Sequence, residues 1–172
     1  MRMTLRPIVK FGAAELDIRS EEINDFPDEL ESLAKDMVQT MYAAPGVGLA
    51  APQIGLNTRL MVIDITVGED AKQLIVMANP VILEQEGEQH EEEGCLSVPG
   101  FAGVVSRPAW VKVRGQDLKG KEVTMEGTAL LARAFCHEID HLDGKFFIER
   151  LGVLKRDLLR RKLRKLIRQG EW

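Results

Sequence analysis

Short runs rich in Val and Ile fill the middle of the chain and set the strongest limit on its fold. Between residues 59 and 116 these runs are separated by Gly, Pro and Asn, which interrupt regular structure. Because β-branched side chains favour strands, each run predicts a strand, and the short connections indicate mostly antiparallel pairing. The predicted strands are RLMVIDI, LIVMANPVILEQ, GVVSR, AWVKVRGQD and, just beyond them, KGKEVTMEG.

Three helices are predicted outside this block of strands. Apolar residues recur at helical spacing in residues 26 to 44, in residues 128 to 142, which Gly144 ends, and in residues 151 to 172. Helices that bracket a block of strands, instead of alternating with them, are typical of an α+β fold. We expect antiparallel or mixed sheets packed around the central second helix, with an N-terminal helix and a basic amphipathic C-terminal helix.

The length of the chain predicts one domain. With 172 residues and 45% hydrophobic content it can bury one core, so residues 1 to 172 are expected to form a single domain with residues 151 to 172 as a helical tail. The N-terminal sequence MRMTLRPIVKFG lacks the apolar segment of a signal peptide, and no stretch reaches the roughly 18 to 20 apolar residues of a membrane span. A cytoplasmic location is therefore expected.

Charge is distributed unevenly along the chain. Residues 151 to 172 contain eight Lys or Arg and two acidic residues, Asp157 and Glu171, so their net charge is +6. Because the whole chain has a net charge of −4, residues 1 to 150 carry −10. Two interpretations of the tail stay open. Its helix can dock on the body by an apolar stripe and expose its charges to solvent, or its Lys and Arg side chains can contact RNA phosphates or another acidic surface.

The sequence HEIDH at 137 to 141 is the strongest chemical signal. On a helix it puts His137 and His141 one turn apart, with Cβ atoms about 5 to 6 Å from each other, so both imidazoles can reach one cation. Glu138 lies beside the first ligand, where it can exchange protons with a water molecule at the metal. Two histidines can also share a helix face by chance, so a third ligand is needed to support the site.

Two residues upstream are candidates for the third ligand. A catalytic site of this kind has three protein ligands and one open position. Cys95 is preferred over His90 because thiolate binds divalent transition ions more strongly, although His90 remains an alternative. A downstream histidine is not available, since position 147 is Phe. Cys136 adjoins His137, but consecutive helical residues point about 100° apart, so a buried packing role is expected for it.

Three motifs occur together and in order: GVGLAAPQ at 46 to 53, EGCLS at 93 to 97 and HEIDH at 137 to 141. In this combination the chain resembles the peptide deformylase family, whose members remove the formyl group from the N-terminal methionine of new bacterial chains. The resemblance extends from the N-terminal leucine and proline region to the basic tail. One position departs from the family pattern, because the residue before HExxH is commonly glutamine there and is Cys136 here.

The resemblance implies roles for the matching residues. Cys95, His137 and His141 would be ligands of one divalent metal ion, with Glu138 as general acid and base. Fe²⁺ would be the native ion, and Zn²⁺, Ni²⁺ or Co²⁺ could replace it. Gln53 and the Leu96 backbone N–H would stabilise the formyl oxygen, which is the task that an amide and a backbone donor perform for a tetrahedral oxyanion.

Substrate binding is assigned to two segments. Gly46 and Gly48 would let the substrate chain run alongside the backbone like an added strand, although ordinary turns use glycines too. Val47 is expected to line the methionine pocket. Leu130 and the aliphatic stem of Arg133 are expected to line the methionine pocket, with the charged head of Arg133 directed out of it. Further from the pocket, Asp140 and Arg107 are candidates for an ion pair behind the metal ligands, or for two unrelated surface charges.

Two other functions compete with deformylation. A metallopeptidase shares HExxH, but such enzymes usually take their third ligand downstream, which EGCLS argues against. An RNA-binding or ribosome-binding protein with a structural metal would need a fourth ligand, and none with matching context is visible. The expected partners are nascent formyl-Met polypeptides, with the ribosome as a further partner through the basic helix and no membrane.

Overall fold

A computed structural model describes residues 4–172 and has the predicted α+β fold. The first helix follows Pro27 and Asp28, which suit a first helical turn, and the second ends just before Gly144, whose φ of +72° stops it. The helices are α1 (Glu29–Ala43), α2 (Ala129–Leu142) and α3 (Val153–Gln169). Among the described residues, none of the helices is both long and apolar enough to cross a membrane.

Seven strands form two antiparallel sheets in the described part of the chain. The larger sheet has the order β1-β2-β3-β6-β7, so β1 and β7 are its edges, and the smaller sheet pairs β4 with β5. The strands are β1 (Gly48–Ala50), β2 (Leu60–Ile63), β3 (Ile75–Glu86), β4 (Gln89–Gly94), β5 (Ala102–Arg107), β6 (Trp110–Gln116) and β7 (Glu122–Thr128).

Two of these strands are missing from the sequence prediction, β1 and β4. β1 consists of Gly, Leu and Ala within the glycine-rich motif, and β4 is the acidic run QHEEEG, so neither has the Val and Ile content by which strands were recognised. Each is a strand because a neighbour supplies the backbone hydrogen bonds: β2 pairs with β1, and β5 pairs with β4 along its whole length. Both missed strands border the candidate site.

Helix α2 lies against the larger sheet and forms the centre of the core. Phe135, Ile139 and Leu142 project from it into a buried cluster that includes Met61 on β2 and Val113 on β6. This packing fixes the rotation of α2 about its axis. The opposite face of the helix, which carries His137 and His141, is thereby directed toward the smaller sheet and the segment that follows it.

Helix α3 is held by one part of its apolar stripe. Leu163 is completely buried in a cluster with Phe146, Phe147 and Val105, and Leu159 packs against its edge. The N-terminal part of the stripe does not dock, because Val153, Leu154 and Leu158 are all more than half exposed. The docking interpretation therefore describes the middle and the C-terminal end of the tail, where Trp172 also packs against this cluster and donates to the Phe11 carbonyl.

Candidate metal centre and substrate pocket

Cys95, His137 and His141 come together at one point. The two histidines project from successive turns of α2, and Cys95 lies directly after β4. One ligand atom from each lies within 4.8 Å of the others, and His141 Nε2 is 3.1 Å from Cys95 Sγ. In residues 4–172 this is the single group of His, Cys and acidic side chains with such spacing, and His90 stands apart from it beside Glu88, in the exposed part of β4.

Each of two candidate ligands is oriented by a hydrogen bond on its far side. His137 Nδ1 lies 3.0 Å from Glu93 Oε2, which directs His137 Nε2 toward the ligand cluster. The Ser97 backbone N–H donates to Cys95 Sγ at 3.4 Å, which helps to hold the sulfur in place. This chemistry of one sulfur and two imidazoles fits a divalent transition ion, with Glu93 and Ser97 as supports.

A chain of buried charges continues behind His137. Arg107 donates to both carboxylate oxygens of Glu93, at 2.9 and 3.0 Å, and to Asp140 Oδ2 at 2.7 Å. Arg150 reaches the other side of Asp140 at 2.7 Å. The predicted Arg107–Asp140 ion pair is thus confirmed. The sequence did not predict that Glu93 and Arg150 would join the same network. Burial alone would raise the pKa of Glu93, but its bonds from His137 and Arg107 outweigh burial and lower that pKa to about 2.

Glu138 is buried next to the ligands and to β1. Its Oε2 atom has no hydrogen-bond partner within residues 4–172. Burial raises the pKa of Glu138 to about 7, close to the value at which a carboxyl group can both accept and donate protons near neutrality. Gly48 faces this carboxylate so closely that a Cβ on it would lie 2.8 Å from Glu138 Cδ.

Gln53 and Leu96 lie beside Cys95, where the resemblance expects them. The Ala50 N–H donates to Gln53 Oε1 at 2.9 Å, and Gln53 Nε2 donates to Ser97 Oγ at 3.2 Å. These contacts direct the amide NH₂ group toward Cys95 Sγ, 3.7 Å away. The Leu96 N–H follows the cysteine in the chain and forms no backbone hydrogen bond with the described residues. Both groups thus lie next to the candidate metal centre.

A cavity of about 310 Å³ opens beside the ligands. Val47, Leu130 and Arg133, the residues expected at the methionine pocket, all line it, and its lining is largely apolar. Gly46 and Gly48 border it without the positive φ of a glycine turn. Their lack of a side chain serves close approach instead, since a Cβ on Gly46 would lie 2.8 Å from Leu96 Cδ1. The ordinary-turn interpretation of this motif is therefore not supported.

Cys136 points away from the site. Its side chain is buried in the core cluster between α2 and the larger sheet, as predicted from its position on the helix. Burial raises the pKa of the thiol to about 11, so it remains neutral. Cys136 is thus part of the core and not of the candidate ligand group.

The fold and the site define a class: α+β hydrolases whose central helix carries His-Glu-x-x-His beside an upstream cysteine. The sequence profile described as Polypeptide deformylase matches residues 5–157. A peptide deformylase of Acidobacterium capsulatum is 51% identical over 170 residues, covering 99% of this chain and 100% of the relative.

Solved structures agree with the sequence comparisons. A peptide deformylase from Legionella pneumophila superposes with a TM-score of 0.88 at 45% identity, covering 97% of this chain and 98% of that one. A plant peptide deformylase gives a TM-score of 0.91 at 34% identity, covering 99% and 93%. The chain belongs to the polypeptide deformylase family.

Proposed function

We infer that this chain hydrolyses the formyl group of N-formylmethionine at the N-terminus of newly synthesised polypeptides and releases formate. The observation that carries the inference is the convergence of three candidate metal ligands, a buried carboxyl and two hydrogen-bond donors beside one largely apolar cavity. The cavity suits a methionine side chain, and the polar groups surround the place where an amide carbonyl would lie. Newly made chains emerge in the cytoplasm, so we propose that location for the enzyme.

Cys95, His137 and His141 would hold the metal ion. A divalent ion on these ligands supplies Lewis acidity, which lowers the pKa of water to near neutrality and polarises a carbonyl group. We propose Fe²⁺ as the native ion, with Zn²⁺, Ni²⁺ and Co²⁺ able to occupy the same ligands, because a mixed sulfur and imidazole set accepts all four. Metal analysis of anaerobically purified protein, with activity measured after reconstitution with each ion, distinguishes them.

Glu138 would move the protons of the reaction. Its buried carboxylate can accept a proton from the attacking water and then donate it to the amine that leaves. A pKa of about 7 in the folded protein supports both steps, since neither protonation state is strongly disfavoured near neutral pH. Gly48 contributes by leaving room for this carboxylate against β1.

Gln53 and Leu96 would stabilise the negative charge that forms on the formyl oxygen. Donors fixed before the reaction are effective because they need not reorient when the charge develops. The hydrogen bond from the Ala50 N–H fixes the amide of Gln53. The Leu96 N–H is held near the metal ligands because Leu96 directly follows Cys95 in the chain.

The substrate chain would add to the free edge of β1. This strand ends the larger sheet, and the cavity lies between residues 46 to 48 and the segment after β4. An extended peptide can pair with such an edge through backbone hydrogen bonds while its first side chain enters the cavity. Val47, Leu130 and the stem of Arg133 would then contact the methionine, whereas Gly46 and Gly48 would allow the backbones to approach.

Helix α3 would carry the enzyme to the ribosome. Its basic side chains Arg161, Arg164 and Lys165 are exposed, and so are the apolar Leu154 and Leu158 near its start. Exposed Lys and Arg on one helix suit nucleic-acid phosphates.

Changing Arg161, Arg164 and Lys165 to Glu should abolish sedimentation with ribosomes and spare small-peptide hydrolysis. The control variant changes three exposed lysines outside the tail, Lys72, Lys119 and Lys121, to Glu. Equal ribosome binding by the two triple variants would contradict the proposal.

Formate release from a formyl-Met peptide by anaerobically prepared protein tests the activity. Glu138→Ala and metal-stripped samples are measured beside it, with an acetyl-Met peptide as substrate control. Release that needs both Glu138 and metal, and that spares the acetyl peptide, is expected. Absence of release by protein with verified Fe²⁺ or Ni²⁺ would instead indicate a different amidase or a peptidase.

A further inference from the structure

Arg133 places an unneutralised positive charge at the substrate cavity. It is the one Lys or Arg among the described residues that line this cavity. Its Nη1 reaches only the backbone carbonyl of Glu92, at 3.4 Å, and its buried Nε has no hydrogen-bond partner within residues 4–172. Arg107 and Arg150, by contrast, are each paired with carboxylates. Arg133 has no such partner in the described part of the chain.

The path of the substrate determines what this guanidinium group can meet. This step rests on the proposed function, in which the peptide extends along β1 and the methionine contacts the stem of Arg133. Side chains of an extended chain alternate between its two faces at about 3.3 Å per residue. The third residue therefore points to the same side as the methionine, roughly 7 Å further along. The side chain of Arg133 is long enough to span a comparable distance between the methionine and the third residue. The second residue of the substrate points away from Arg133.

We propose that Arg133 makes the enzyme favour an acidic side chain at the third residue of the formylated chain, counted from formyl-Met. A carboxylate there meets the free guanidinium donors in a bidentate arrangement that a Gln side chain cannot match. Because Arg133 is only partly buried, solvent screens its charge and the preference is modest, roughly 2-fold to 5-fold in kcat/KM. Glu92 lies on the same wall and limits the preference, since its own carboxylate repels an acidic substrate.

Four peptide amides test the proposal: formyl-Met-Ala-Glu, formyl-Met-Ala-Gln, formyl-Met-Glu-Ala and formyl-Met-Gln-Ala. Amidation removes the C-terminal carboxylate, which would otherwise place a negative charge near the third residue in every peptide. The wild-type ratio of kcat/KM for Glu over Gln should be roughly 2 to 5 at the third position and close to 1 at the second. A third-position ratio of 1, or equal ratios at both positions, would overturn the proposal without any variant.

Variants assign the preference to Arg133. Arg133→Met keeps an apolar stem and should bring the third-position ratio to 1, while Arg133→Lys should retain part of it. Arg114→Met removes an exposed charge from β6, outside the cavity, and should leave the ratio as in the wild type. A preference that survives in Arg133→Met would overturn the assignment. Each ratio compares two peptides on the same protein, so a general loss of activity does not affect it. Failure of the proposed function would appear differently, as no formate from any peptide.

Discussion

Helices α2 and α3 are similar in length and opposite in environment. Nine residues of α2 are buried, among them the charged Glu138 and Asp140, whereas Leu163 is the single buried residue of α3. The charged and imidazole side chains of α2 contact one another or residues from β4, β5 and the turn after α2. The basic side chains of α3 mostly face solvent.

The difference separates two ways in which a helix can contribute to function. The chemistry of α2 is a property of the folded chain, because the group that orients His137 is Glu93, on a neighbouring strand of the same fold. The charges of α3 have few partners within the fold, so their contribution depends on a molecule outside it. Perturbing α2 should therefore change stability and catalysis, while perturbing the exposed face of α3 should change neither.

The largest effect is expected at the charge network behind α2. Arg107→Met leaves Glu93 and Asp140 buried without their shared partner, which should lower the free energy of unfolding by about 3–5 kcal/mol. Urea denaturation of the metal-free protein measures the change. Arg150→Met removes a second, 45% exposed partner of Asp140 and should cost less than about 1 kcal/mol. Equal losses in the two variants would show that burial does not determine how much each ion pair contributes to the free energy of unfolding.

Two leucines of α3 test how the tail helix is held. Leu163→Ala removes a completely buried side chain and should destabilise the protein by about 2–5 kcal/mol. Leu158→Ala, at a position 56% exposed, should change stability by no more than about 0.5 kcal/mol. Thermal or urea unfolding distinguishes them. A large loss for Leu158→Ala would mean that the whole apolar stripe is covered in solution.

The close approach of α2 to β1 gives a prediction for catalysis. Gly48→Ala places a methyl group against the Glu138 carboxylate, which must move, so kcat for a formyl-Met peptide should fall by about 10²-fold. Gly152→Ala, just before α3, is the control because a Cβ there meets no atom within 4 Å. Unchanged kcat in Gly48→Ala would contradict the assignment of this contact to catalysis.

The smallest effect is expected at the start of α2. Ala129 has a φ of +48°, in the left-handed region that favours glycine. Ala129→Gly should therefore raise the free energy of unfolding by roughly 0.5 to 1 kcal/mol, the relieved strain being partly offset by greater freedom of the unfolded chain. Ala132→Gly, within the same helix, should be destabilising instead. The same sign for both variants, measured by urea unfolding, would contradict this explanation.

Sequence reasoning succeeded where the signal is local and periodic. The spacing of HEIDH predicts two side chains on one helix face because the helical repeat alone determines it, and the Val and Ile runs predict five of the described strands for the same kind of reason. It failed at β1 and β4, whose Gly, Ala and Glu residues do not favour strands. There the pairing partner, distant in sequence, determines the conformation.

Local sequence patterns were enough to predict the α+β class, the helix that carries His137 and His141, and, through three motifs together, the family. Three contacts arise only from the packing of the folded chain: Cys95 lies 3.1 Å from His141, Arg107 joins Glu93 to Asp140, and Gly48 makes room for Glu138. Within residues 4–172, the packing also leaves Val153, Leu154 and Leu158 exposed and Arg133 without a carboxylate partner. The physical reason is range: helical and strand periodicity act over a few residues, whereas these contacts join residues brought together only when the sheets and α2 pack.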